Sequence, residues 1–577
     1  MEVTQTFHVS SFLCAQLCPT FSYSVVPLPS AATHIRLIEL EPPQVPDLSS
    51  YPAVEAPLKC RIFSVPLTQL PSFNALSYTW GEDKAARYLH VQPSRAADDG
   101  AATTFGWLRI TPALDEALRH IRQPSEAVRM WVDQICIDQD NIPEKNAQVS
   151  AMKDVYSSAG GVLIWLGPST PHSDWFIERM RALWTVAREE GLDQLFGTAW
   201  RPSGDHLRRQ FVSKVTAAFR APDQPVGDES FQRLLGRASA ALFGEGEIHN
   251  KKEIFRKELR AWLRRPWFTR VWVLQEYGFA RTAAFMCGTK YIDVELFKHA
   301  WTLVKLLGLI PGVDMKRDDI REGISRRTGV YYMGFDDLLE SLSRLRLRCL
   351  AAKRGNDLRL PLCEVVKEVY SSNRPQILAT DPRDRIYALL NLSRDARHMG
   401  IEPDYSDSLT TDQLYTQVSR TILESSPEGI QLFELVQYPK NIENDEAASL
   451  RLPSWVPDFS RPRGSIAGQG EPYAPTWKAV SAQFLPTDDD RVLGLRAIIV
   501  DHVELTGEVW NCREEGWDDH DITQFLSYLH KIQRLCDSAP QSAVQARDAD
   551  DERRRHALWR IMLGDAVANS DGGFKRP

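Results

Sequence analysis

The stretch from Val128 to Gly167, VRMWVDQICIDQDNIPEKNAQVSAMKDVYSSAGGVLIWLG, admits few folds. Met130 to Ile137 is apolar and β-branched, interrupted only by Asp133 and Gln134, which predicts a buried strand. Asp138 to Asn146 is polar and contains Pro143, which predicts a loop. Ala147 to Ser158 sets Val149, Met152, Val155 and Tyr156 at helical spacing, and Gly160 with Gly161 ends that helix. Val162 to Leu166 begins a second strand. Strand, helix, strand implies a parallel crossover and hence an α/β architecture. In open parallel sheets chemistry gathers beyond the carboxyl ends of the strands. There this chain carries Asp138, Gln139, Asp140 and Glu144.

At 577 residues the chain exceeds one ordinary core, so two to four domains are expected. With 69 basic and 76 acidic residues the net charge is −7, and no long basic run occurs. A broad nucleic-acid face is therefore excluded as an expectation. The nine cysteines are scattered without CxxC or Cys/His ligand spacing, which points to reduced thiols inside a cell. Residues 1–34 hold no Lys or Arg, so no signal peptide is expected, and no 18-residue apolar run predicts a membrane span. The leader, 1–34, is expected to be disordered.

Ile35 to Leu40 and Leu58 to Val65 read as strands, Ala75 to Thr79 as a short buried strand, and Tyr88 to Gln92 as an edge strand. Pro112 to Ile121 reads as a helix capped by Thr111. Ser173 to Glu190 and Glu253 to Leu263 are amphipathic helices, with a weakly patterned insertion over 191–250 between them. Thr282 to Cys287 is one more strand. A mainly helical region follows over 291–462, and an α+β region over 463–577. In DPRDR, Arg383, Asp384 and Arg385 are expected to form an ion-pair network at a helix start.

Several residues stand out chemically. Asp133, inside an apolar run, must be paired or hydrogen-bonded. Asp138, Asp140 and Glu144 lack the glycine of a Ca²⁺ loop and are broken by Pro143, so no metal site is expected; their plainer role is to solvate the loop and cap the helix. Cys136 has no nearby His and reads as core, as do Trp131 and Trp165.

Three blocks taken together, FNALSYTWGED (Phe73 to Asp83), the stretch from Met130 to Gly167, and RRPWFTRVWVLQE (Arg264 to Glu276), resemble the fungal heterokaryon-incompatibility (HET) domain. DPRDRIYALLNL, PDYSDS and LPSWVPDFS resemble the region that commonly follows it. The resemblance places the HET domain at 35–290. It implies a role in nonself recognition, with protein partners, that leads to programmed cell death. It also implies a cytoplasmic location. Related long chains continue with a Gly-rich β segment after a block like ALWRIMLGD, which implies an incomplete C-terminal region here.

The HET domain is in turn similar to TIR domains: SYTWGED resembles their turn after the first strand, and WVLQE resembles their WCxxE element. The resemblance implies a TIR-like parallel sheet flanked by helices. It assigns Glu276 as the catalytic candidate for hydrolysis of NAD⁺, with NAD as substrate and no bound cofactor. Trp80, Gly81, Glu82, Asp133 and Trp272 then become pocket candidates. A carboxylate set among Trp267, Phe268 and Trp272 can stabilise an oxocarbenium-like centre. The plainer reading pairs Glu276 with Arg270 or Arg281 at a helix end. A second mechanism is assembly without chemistry, including self-association, through Asp138, Gln139, Asp140 and Glu144; a third is a degenerate scaffold.

Overall fold

A computed structural model describes residues 20–43, 57–92 (82, 84 and 85 apart), 106–192, 229–307 (245–247 apart), 342–370, 377–436 (426 apart), 451–460 and 483–496, with isolated positions at 309, 527, 567–568 and 574–575. The chain forms two compact units. The first comprises residues 1–315, 338–362 and 376–409, and the second 316–337, 363–375 and 410–577.

A nine-stranded sheet organises the first unit. Its strands are β1 (His34–Leu40), β2 (Lys59–Pro66), β3 (Asn74–Ser77), β4 (Arg87–Gln92), β5 (Gly106–Ile110), β6 (Val128–Trp131), β7 (Gly161–Trp165), β8 (Ala283–Cys287) and β9 (Lys290–Asp293). Across the sheet they run β5-β4-β2-β1-β6-β3-β7-β8-β9. The block β6-β3-β7-β8 is parallel throughout. β1 lies antiparallel to β6 and to β2, and β9 antiparallel to β8. The expected α/β class is therefore observed, with the parallel order confined to the centre of a mixed sheet.

The first unit's helices are α1 (Pro112–Ile121), α2 (Asp133–Cys136), α3 (Ile142–Ser158), α4 (Ser173–Glu189), α5 (Glu229–Phe243), α6 (Ile248–Leu263), α7 (Val273–Gly278), α8 (Val294–Leu306), α9 (342–353) and α11 (Asp384–Leu390). α10 (Leu362–Tyr370) and α12 (Thr411–Ser425) lie in the second unit, the former from Cys363 onward. α1 begins as its sequence predicts, with the Thr111 hydroxyl accepting from the Leu114 N–H at 3.3 Å.

Local chemistry explains where the structure departs from expectation. The strand expected to run to Ile137 stops at Trp131, because the chain closes one helical turn in α2. The Asp133 carboxylate accepts from the Gln134 N–H at 2.7 Å there, an acid at a helix start. The expected loop to Asn146 is cut short, because Asn141 caps α3 by accepting from the Glu144 N–H at 3.2 Å. Pro143 sits in the first turn of that helix, where a missing N–H costs nothing. β4 is not an edge: β5, unrecognised beside a small polar tract, pairs outside it.

Within the expected leader, Thr20 and Phe21 pair with β5. The Phe21 N–H donates to Trp107 O at 3.0 Å along β5. Gly106 permits this approach, since a Cβ there would lie 2.7 Å from Phe21 Cα. Residues 1–19 lie outside the described residues, as do 193–228 of the insertion.

The core of this unit is continuous. Leu37, Ile38, Met130, Trp131, Val155 and Ile164 are fully buried. A second cluster is aromatic, with Trp262 stacked on Phe297 at 5.6 Å and Trp267 edge-on to Phe285 at 5.6 Å. In the second unit, Phe459 packs against Tyr415 at 5.0 Å and Tyr370 at 5.5 Å. β10 (Gln483–Leu485) and β11 (Gly494–Arg496) form an antiparallel pair, and β12 (Val567–Ala568) pairs with β13 (Phe574–Lys575). The remainder of 463–577 lies almost wholly outside the described residues.

Candidate active site

β3 is an inner strand of the sheet's parallel block, and its carboxyl end is Ser77. The Ser77 hydroxyl donates to Glu276 Oε2 and itself accepts from Trp267 Nε1 at 2.7 Å. Glu276 lies on α7, only 2 % exposed. Its other oxygen stands 4.0 Å from Arg270 Nη1, too long for a full hydrogen bond. Arg270 is also drawn to the carbonyl of Tyr78, to which Nη1 donates. The plainer reading of Glu276 thus has a physical basis with Arg270 and not with Arg281, but the pair is loose.

Asp133 closes the other side. It follows β6, the strand beside β3, and accepts from Trp80 Nε1 at 2.8 Å. The Tyr78 hydroxyl interacts with it without meeting full hydrogen-bond geometry. Gly81 turns the chain after Trp80 with φ of +78°, a left-handed conformation that glycine adopts without strain. Trp80, Asp133 and Arg270 are half-buried, so these are the members solvent reaches.

Two carboxylates therefore share one guanidinium in a poorly solvated place. Burial pushes the Glu276 carboxyl up to about 7; Arg270 and the Ser77 hydroxyl oppose this, and Asp133 adds to it. Burial also raises Asp133, against Arg270, the Trp80 indole and the Gln134 N–H. Burial disfavours the charge on Arg270, yet Glu276 and Asp133 outweigh it and hold its pKa above the ordinary value. A carboxyl that titrates near neutrality can exchange a proton or present a negative charge to an electron-deficient centre.

The other expected residues divide. Asp133, Trp80 and Gly81 belong to this cluster, whereas Glu82 lies outside the described residues. Trp272 is half-buried, and its side chain is among the groups that lower the Asp384 carboxyl against the effect of burial. Glu144 is buried on Arg36 in a two-pronged pair at 2.6 and 3.1 Å, and also accepts from the Asp138 N–H at 2.8 Å. Gln139 Nε2 donates to Asp133 O at 3.1 Å. Of the four proposed assembly residues, Asp140 alone is exposed, and Asp138 is half-buried.

In DPRDR each of the three residues of the expected network has a partner among the described residues. Arg383 pairs with Asp381 at 2.9 Å, Asp384 accepts from the Tyr405 hydroxyl at 2.5 Å, and Arg385 donates to Ile377 O at 2.6 Å. Cys136 is fully buried with its thiol pushed up to about 12 by burial, the wrong direction for a nucleophile. Among the described residues no group of three or more His, Cys, Asp or Glu could hold a metal ion, and no helix is long and apolar enough to cross a membrane.

The sequence reading overlooked Ser77 and Tyr78. The one available signal was Ser77 itself, a polar side chain inside the apolar run ALSY whose hydroxyl, once buried, needs a partner.

Comparison with known proteins gives a consistent result. The family model described as Heterokaryon incompatibility protein (HET) matches residues 73–276, ending on Glu276. The Neurospora crassa protein "Heterokaryon incompatibility protein 6, OR allele" is 28 % identical over 572 residues, covering 94 % of this chain and 75 % of the relative. No solved structure matches.

Proposed function

We propose that this chain, whose residues 73–276 match the heterokaryon incompatibility (HET) family and which is similar over most of its length to a Neurospora crassa heterokaryon incompatibility protein, executes nonself-triggered cell death by hydrolysing the N-glycosidic bond of NAD⁺ at Glu276. One observation carries the reading. Glu276 is anchored at the carboxyl end of an inner parallel strand, where burial brings its titration to about 7. Taken in chain order, the parallel strands β3, β6, β7 and β8 stand in space as second, first, third, fourth. That order is one of the doubly wound arrangements whose ligands bind outside the carboxyl ends beside the first strand, and it supports the TIR-like assignment.

The chemistry balances simply. The C1′–N bond breaks with its electron pair leaving on nicotinamide, the ionised Glu276 faces the positive C1′, and water adds there and gives up a proton. NAD is then a substrate and not a cofactor, and the site is cytoplasmic.

A second reading is favoured by the 2 % exposure of Glu276. In it the cluster is a core brace, and the domain acts by assembling with itself or with incompatibility partners. Glu276→Gln in the full chain separates the two. Under the enzymatic reading the variant folds, leaves cellular NAD⁺ intact and does not kill. Death in cells whose NAD⁺ stays constant would sink that reading and leave assembly.

A further inference from the structure

We propose that Gln275 is a positioning residue for Glu276, and that residues 377–392 are the template it reads. The working unit of the HET domain then extends well past residue 276, where the family match ends. The inference rests on the Glu276 reading above and deepens it.

The argument begins with the size of α7. A six-residue helix without a side-chain cap does not hold its own orientation, because helix nucleation is costly and is normally repaid by length or packing. Orientation must come from outside, and the side chains show from where. Gln275 is fully buried. Its Nε2 donates to Ala388 O at 2.9 Å and to Tyr387 O at 3.3 Å, and its Oε1 accepts from Asn391 Nδ2 at 3.2 Å.

Tyr387 and Ala388 lie in the last turn of α11, whose final four carbonyls have no partner within the helix. The Gln275 amide therefore caps α11 from the side, and Asn391 returns a bond to it. The hold continues on either side. Before α7, the Val271 N–H donates to Leu378 O at 3.0 Å, and the Leu378 N–H to Thr269 O at 2.5 Å. After Glu276, a Cβ on Gly278 would lie 3.3 Å from Leu392 Cδ2.

Gln275 and Glu276 are helical neighbours, about 100° apart around the axis. Fixing the Gln275 amide against α11 fixes the rotation of α7, and that rotation aims Glu276 at Ser77. Ile386, Ala388 and Leu389 are fully buried, so this segment is a permanent part of the core and not a detachable lid. A domain cut after Arg281 would lack the template.

The test uses the full chain with Gln275→Leu. Titration of the Glu276 carboxyl is followed by infrared difference against Glu276→Gln, and NAD⁺ hydrolysis is followed against pH. The folded variant is expected to move the Glu276 midpoint from about 7 toward the ordinary glutamate value of about 4.5. The kcat is expected to fall roughly tenfold or more with KM nearly unchanged, the signature of misplacement over weaker binding. An unmoved midpoint in the folded variant overturns the proposal, whatever the activity. If the chain never hydrolyses NAD⁺, the enzymatic reading fails while the midpoint still decides this one. Should Gln275→Leu fail to fold, Asn391→Ala removes the returning bond, together with a longer one to Ser150 O at 3.4 Å, and is held to the same midpoint criterion, in the same direction.

Discussion

Two arginines of the first unit, one buried and one half-buried, make opposite use of their carboxylates. Arg36, 1 % exposed, grips Glu144 with both prongs and gives two further bonds, to Val26 O at 2.8 Å and Cys136 O at 3.2 Å. The Tyr23 ring lies 4.7 Å beneath its guanidinium. Arg270 instead divides its charge between Glu276 at 4.0 Å, Asp133 and the Tyr78 carbonyl, and satisfies no carboxylate in full. The first arrangement is a saturated brace that ties the N-terminal segment and α3 to β1. The second leaves a carboxyl poised near neutrality. Saturation marks structure, and incomplete pairing at a strand end is the pattern on which the proposed role of Glu276 rests.

The sharpest way to break this contrast is Arg36→Leu. It leaves Glu144 buried without its partner and should cost about 3–5 kcal/mol in denaturant unfolding, with the N-terminal segment exposed to protease. A loss under about 1 kcal/mol would mean the brace is no brace.

The second test uses pH. The folded state raises Glu276 from 4.5 to about 7, so it favours the protonated form. That contribution is complete below the unfolded value and is lost as pH rises through about 7. The stability of the wild type relative to Glu276→Gln should therefore fall by about 3 kcal/mol between about pH 4 and about pH 8. A flat difference would place Glu276 with the saturated pairs.

The smallest effect is expected at Trp80→Phe, which removes the 2.8 Å bond to Asp133 on the half-buried side of the cluster. The change should cost about 1–2 kcal/mol in thermal unfolding and raise Asp133 further, because the indole N–H is one of the contacts that lower it. An unmoved Asp133 would show that this side of the cluster is already open to solvent.

Much of the sheet was legible in advance. IRLIEL, LKCRIFSV and TAAFMC carry the β-branched and apolar runs of covered strands, and Thr111 with Pro112 announces α1 in two residues. WVLQE drew attention to Glu276 through resemblance, and the apolar setting of Asp133 signalled a buried acid that needed partners. Neither feature disclosed those partners. Trp80 lies 53 positions from Asp133, and Ser77 lies 199 from Glu276. Gln275 looked like a spacer in a motif, although its amide meets α11 more than a hundred positions later.

The sequence by itself determined the elements whose causes lie within one turn or one strand: cap residues, period-two and period-3.6 apolar spacing, and the prolines that open helices. Its motifs also carried the resemblance to the HET domain, whose family model matches residues 73–276. Only the tertiary structure decided that Asp133 opens a helical turn, that residues 20–33 join the sheet unit, and that 377–392 orient the six-residue helix bearing Glu276. Those outcomes rest on burial and hydrogen bonds between residues far apart in the chain, whose free energy exists only once the core has brought them together.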